Sequence, residues 1–128
     1  MIGFVTAVSV TVLFLIAVVV TGLRGRITIH IPCVLGAFIS LGIAIVFALQ
    51  LGKHYDLEQA GMITPIHLTL AKIATAAYVL PVITGIRTLK SRVHRRAHFW
   101  AAMLALTLTA TALVTGTLML MWAPLIPG

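Results

Sequence analysis

Three of the five histidines, His30, His67 and His98, each open a long apolar stretch in a chain that is otherwise almost all hydrocarbon. An ionisable group in or at the edge of a bilayer is costly, so it marks a cofactor, an ion path or a relay more often than a packing accident. Imidazole is also the commonest axial ligand to haem iron. For any one of them the plain alternative is an interfacial histidine wetted by headgroups. Three at matching positions favour binding. His94 stands four residues before His98 and would share its helical face if the helix starts early enough.

The elements that must carry these residues follow from composition. Of 128 residues 61% are hydrophobic, and Asp56 and Glu58 are the only two acids. That excludes a soluble domain and a disordered chain. A spanning helix needs about 20 apolar residues, and four stretches qualify, at about 4–22, 31–51, 66–86 and 99–122. The expected fold is all-α, an integral membrane four-helix bundle with antiparallel up-and-down topology in a single transmembrane domain.

The sequence pI of about 11.0 would suggest nucleic acid in a soluble protein, but here the positive charge lies in two short loops. Arg24 and Arg26 join the first two stretches, and Arg87, Lys90, Arg92, Arg95 and Arg96 join the last two. No nucleic-acid partner is expected. By the positive-inside rule both loops face the cytoplasm, which puts both termini and the Lys53 to Pro65 loop on the other side. The expected location is a bacterial plasma (inner) membrane. The first stretch has no basic n-region and no A-x-A site, and is read as a retained helix.

Helical periodicity assigns a face to each histidine. His30 shares its face with Val34, Ala37, Leu41 and Ala44, in a helix expected to start near Thr28 as N-cap with Pro32 in its first turn. His67 shares its face with Ala71, Ala74, Tyr78, Pro81 and Gly85, and Pro81 is expected to kink that helix. From His98 the face runs through Ala102, Ala105, Thr109, Ala112 and Gly116. Such small residues mean close helix packing or room for a flat macrocycle.

Topology then pairs the ligands. The helices opened by His30 and His98 both start from the cytoplasm, so the two imidazoles lie at one depth and could hold one iron between them. His98 is favoured over His94 because it heads the small-residue stripe. Arg24, Arg26, Arg87, Arg95 and Arg96 would then surround the propionates, although topology and anionic lipid also account for them. Cys33 is the only cysteine and no C-x-x-C-H occurs, so a haem would be b-type and noncovalent.

His67 lies at the opposite surface, where His54 is its only potential histidine partner. A second haem, a chlorophyll-type pigment, a quinone headgroup or water are its candidate ligands. Lys72 is expected to snorkel to headgroups, or else to pair with an anionic cofactor group or with Asp56 or Glu58. His94 and His98 resemble part of a zinc pair, but no H-E-x-x-H, nearby carboxylate or cysteine completes it. No nucleophile triad, P-loop or dinucleotide fingerprint is present.

The stretch HLTLAKIATAAYVLPVITGIRTLKSRVHRRAHFWAAMLALTLTATALVTG, His67 to Gly116, resembles part of the cytochrome b561 family of transmembrane electron carriers. The marks are His67 opening a helix, Gly85 with Arg87 at its end, the basic loop from Arg92 to Arg96, His98 opening the next helix, and Gly116. His30 would match the histidine of the preceding family helix. The family uses four histidines on four successive helices for two haems, and the first helix here has none. The resemblance thus implies a surviving His30–His98 haem and a His67 that has lost its partner.

The leading expectation is a non-catalytic electron-transfer subunit, exchanging one electron with quinone or another membrane redox protein. The alternative is an accessory structural or pigment-binding subunit of a respiratory or photosynthetic complex. A transporter using Lys72 and His67 is less favoured, because four helices without an internal repeat are few for that task.

Overall fold

The computed structural model describes residues 2–126. Among these the chain is helical with no strand, and four helical segments are long and apolar enough to cross a membrane. The chain divides into two units, residues 1–54 and 55–128.

The first unit is a helical hairpin of α1 (Ile2–Leu23) and α2 (Ile27–Gly52). Gly3 meets Phe47, Gly36 meets Phe14 and Gly22 meets His30. The partners run in opposite directions along the two helices, so the pair is antiparallel. The connection turns at Gly25, whose φ of 70° lies in the left-handed region where glycine alone is unstrained. α2 starts at Ile27 behind Arg26, with no side-chain cap bond. Thr28 therefore lies inside the first turn and is not its N-cap, because the tight Gly25 turn hands the chain directly into the helix.

In the second unit α3 (Ile63–Ala77) and α4 (Val79–Lys90) form one span broken at Tyr78, and α5 (Arg95–Trp122) returns beside them. The break stands one turn before Pro81. Proline has no N–H to return to the Ala77 carbonyl, and the Tyr78 N–H bonds to Thr75 at the tighter i−3 spacing. A 3₁₀ turn, Leu57–Ala60, precedes α3. The chain before it is tied to the end of α5: the Asp56 N–H donates to the Pro124 carbonyl at 2.9 Å, and Tyr55 bridges Leu125.

All four spans exceed the stretches read from hydropathy, mostly at their N-terminal ends, where polar or basic first turns such as Arg95–Arg96 lower the apolar average. The interior of each unit is small. Ala7, Thr11, Ala37, Ser40 and Ala44 are buried in the first, and Ala74, Ala77, Ala105 and Met119 in the second. Most large apolar side chains point outward, as Leu13, Leu35, Ile39, Val79 and Leu104 do. That is the pattern of helices solvated by lipid, where close backbone approach and hydrogen bonds replace a hydrophobic drive. Every residue expected on the His30, His67 and His98 faces is buried or half-buried.

The candidate functional site: three histidine cradles

His30 and His98 are each the fourth residue of their helix, in α2 and α5, and His67 is the fifth residue of α3. All three are half-buried. Each packs against a Thr-Gly pair on the antiparallel neighbour within its own unit: His30 on Thr21–Gly22, His98 on Thr84–Gly85 and His67 on Thr115–Gly116.

The hydrogen bonds around each ring are consistent with one tautomer. The Thr84 hydroxyl donates to the Leu80 carbonyl at 2.7 Å, so its oxygen faces His98 Nδ1, 3.1 Å away, as an acceptor. The Thr115 hydroxyl donates to Thr111 or Ala112, so His67 Nδ1 donates to it at 3.0 Å, with the Ala112 backbone also bonded to the ring. Thr21 donates to Ala17 at 2.7 Å and accepts from His30 Nδ1 at 3.1 Å. His30 Nδ1 is also 3.0 Å from the Val18 carbonyl, which can only accept. With Nδ1 as the donor in each contact, a neutral ring carries its lone pair on Nε2.

The glycines set how closely each ring approaches. A Cβ placed on Gly22 or Gly85 would come within 3.1 Å of the Cε1 of His30 or His98, and one on Gly116 within 2.8 Å of His67 Cε1. The ring edge therefore rests on backbone, and any larger residue moves it.

The arrangement meets a definite chemical requirement. A metal-bound histidine characteristically donates its second ring N–H to a carbonyl or another acceptor, which fixes ring orientation and raises the basicity of the ligating nitrogen. The Nδ1 bonds of these rings satisfy that requirement, and an imidazole so held could serve a haem iron as ligand.

The remaining expected residues are distributed as follows. His94 lies in the 3₁₀ turn Arg92–His94 that caps α5, so it does not share a helical face with His98. Arg24, Arg26, Arg87, Arg95 and Arg96 are exposed at the two hairpin connections. Lys72 is exposed on α3, as a snorkelling lysine is. His54 is exposed in the turn after α2 and belongs to the other unit from His67. Asp56 accepts from the Gln59 amide at 2.8 Å. Among the described residues no three His, Cys, Asp or Glu side chains gather as a metal cluster.

The threonines were not singled out by the sequence reading. Their signal is a short internal repeat, Val20-Thr21-Gly22-Leu23-Arg24 against Ile83-Thr84-Gly85-Ile86-Arg87, followed by His30 in one unit and His98 in the other. Val114-Thr115-Gly116 is a shorter third copy. Comparison with protein-family models, curated proteins and solved structures gives no match to this chain.

Proposed function

We propose that this protein is a membrane b-type cytochrome subunit, related in design to the cytochrome b561 pattern, in which His30 and His98 would hold one haem b near the cytoplasmic face. The observation that carries the reading is the repeated cradle: two hairpins each hold an imidazole by Nδ1 at the fourth residue of a helix, with Nε2 bearing the lone pair. Bound there, haem b would supply reversible one-electron Fe(III)/Fe(II) chemistry.

The residues of the chain do the rest. Thr21 with the Val18 carbonyl, and Thr84, hold the two rings and keep the Nδ1 proton in place. The exposed arginines of the two connections supply positive charge for carboxylates. The outward apolar side chains exclude water and face lipid, and a quinone or another membrane redox subunit is the natural electron partner. His67, in the third cradle, is available to a second haem, a pigment or a quinone headgroup. Both termini would lie on the non-cytoplasmic side of a bacterial plasma membrane.

The purified chain, extracted under conditions that retain cofactors, should show the paired reduced absorption bands of a low-spin b haem. His30→Ala and His98→Ala should each lose them. Full haem retention in both variants would overturn the assignment.

A second reading is favoured by the same bonds seen mechanically. Each His–Thr contact fastens two neighbouring helices, as expected of an accessory structural or pigment-binding subunit in a respiratory or photosynthetic complex. Co-purification with partners and the absence of bound haem would select it.

A further inference from the structure

The connection between α4 and α5 carries charge of one sign only. Lys90, Arg92, Arg95 and Arg96 are all exposed there, while the two acids of the chain, Asp56 and Glu58, precede α3 at the opposite end of the span. Arg95 and Arg96 open α5, whose first turn holds no acid and no side-chain cap, although the helix dipole disfavours cations there. Neighbouring cations that repel one another gain from an anion held among them.

Apolar groups are exposed among and just beneath these charges. Val93, in the 3₁₀ turn between Arg92 and Arg95, is 85% exposed. Trp100 is 62% exposed one turn below Arg96 on the same helical face, and its ring meets Phe99 edge-on at 5.4 Å. That face continues through the exposed Leu104. The interfacial layer of a bilayer solvates both kinds of group, because its phosphates take the charge and its headgroup level takes aromatic rings. The first connection is built differently: Arg24 and Arg26 stand on the tight Gly25 turn with no aromatic residue beside them in the sequence.

We infer that the connection from Lys90 to Arg96 is a binding site for an anionic phospholipid, whose phosphate Arg92, Arg95 and Arg96 hold and whose chains lie along Trp100 and Leu104. Planar guanidinium groups suit a phosphate because they donate paired hydrogen bonds as well as charge. Arg24, Arg26 and Arg87 are left for the carboxylates of a haem, so the inference stands with or without that cofactor.

The test uses the full chain in phosphatidylcholine nanodiscs containing a minor fraction of phosphatidylglycerol, with the chains of one lipid or the other brominated. Bromine quenches tryptophan at contact range, so the ratio of quenching in the two preparations reads which lipid stands beside the indole. Of the two tryptophans, Trp122→Phe leaves Trp100 as reporter and Trp100→Phe leaves Trp122, which ends the same helix near the Asp56 contact with Pro124.

Trp100 should meet phosphatidylglycerol well above its bulk fraction, and Trp122 should not. Arg96→Gln should lower the preference at Trp100 by up to about 5-fold. Arg92→Gln, Arg95→Gln and Arg96→Gln together should abolish it, and the single variant decides if the triple one does not fold. Arg24→Gln with Arg26→Gln should leave it unchanged.

Quenching of Trp100 in proportion to bulk composition, an equal preference at Trp122, or a preference that survives loss of the arginines overturns the inference. Displacement of the lipid by inorganic phosphate, beyond what chloride of equal ionic strength achieves, overturns it as well, because the site would then take a free anion.

Discussion

Gly116→Ala gives the sharpest test of whether the cradles are rigid. The new methyl would meet His67 Cε1 at 2.8 Å, against about 3.5–4.0 Å for comfortable carbon contacts. The ring must retreat by about 0.7 Å or more, which stretches the 3.0 Å bond from Nδ1 to Thr115 beyond hydrogen-bonding range. Overpacking of this kind costs about 1–3 kcal/mol. The lost interhelical bond adds about 0.6 kcal/mol, the average measured in a membrane protein. Alanine returns up to about 1 kcal/mol in helix propensity.

The net expectation is destabilisation of the second unit by about 1–3 kcal/mol. Gly42→Ala is the matched control, since nothing lies within 4 Å of its would-be Cβ, and it should stabilise by up to about 1 kcal/mol. Loss of helicity on SDS titration of detergent-solubilised protein measures both. In a His67→Ala background the clash is gone, and Gly116→Ala should then behave like Gly42→Ala. Equal costs for Gly116→Ala with and without the imidazole would refute the cradle geometry.

Other substitutions probe the frame around the site. Tyr78→Phe removes the phenol bonded to Thr109 and should cost about 0.6 kcal/mol by the same titration. Pro81→Ala restores an N–H opposite the Ala77 carbonyl and should close the break, so that an amide at position 81 resists hydrogen exchange as its neighbours do. Gly25→Ala forces a φ of 70° on an L-residue and should destabilise the α1–α2 hairpin by about 1–2 kcal/mol. For orientation, a cysteine at Lys53 should react with an impermeant thiol reagent added outside intact cells, and one at Arg92 should not.

Much of the frame was legible in the sequence. Periodicity gave the inward faces correctly, because small residues such as Ala37, Ala74 and Ala105 recur at helical spacing below each histidine. Hydropathy located four spans but trimmed their first turns, since polar residues at a helix start lower an apolar average without ending the helix. That trimming mattered at one place: only the true start of α5 at Arg95 separates His98 from His94. Pro81 announced the break in the third span, although the backbone departs a turn earlier because the bond it lacks belongs to Ala77.

The cradles were hidden for a physical reason. A threonine in an apolar helix returns its hydroxyl to the preceding turn wherever it stands, as Thr75 and Thr107 do, so Thr21, Thr84 and Thr115 look ordinary. What distinguishes them is the histidine brought to the same level by the antiparallel neighbour. The separations in sequence are 9, 14 and 48 residues, and no fixed spacing joins them. The adjoining glycine was the readable clue.

The break at Tyr78 divides the third span into two stiff arms, of 15 and 12 residues, each pinned to α5 by its own cradle: His67 on Thr115 in the first arm, Thr84 on His98 in the second. Between them the tyrosine hydroxyl adds a third pin to Thr109. An unbroken helix would behave as a single rod, so that shifting one end would lever the other. Jointed at its middle and pinned there, the span gives each imidazole an arm of its own, so that the alignment of one ring does not depend on a single rigid rod shared with the other.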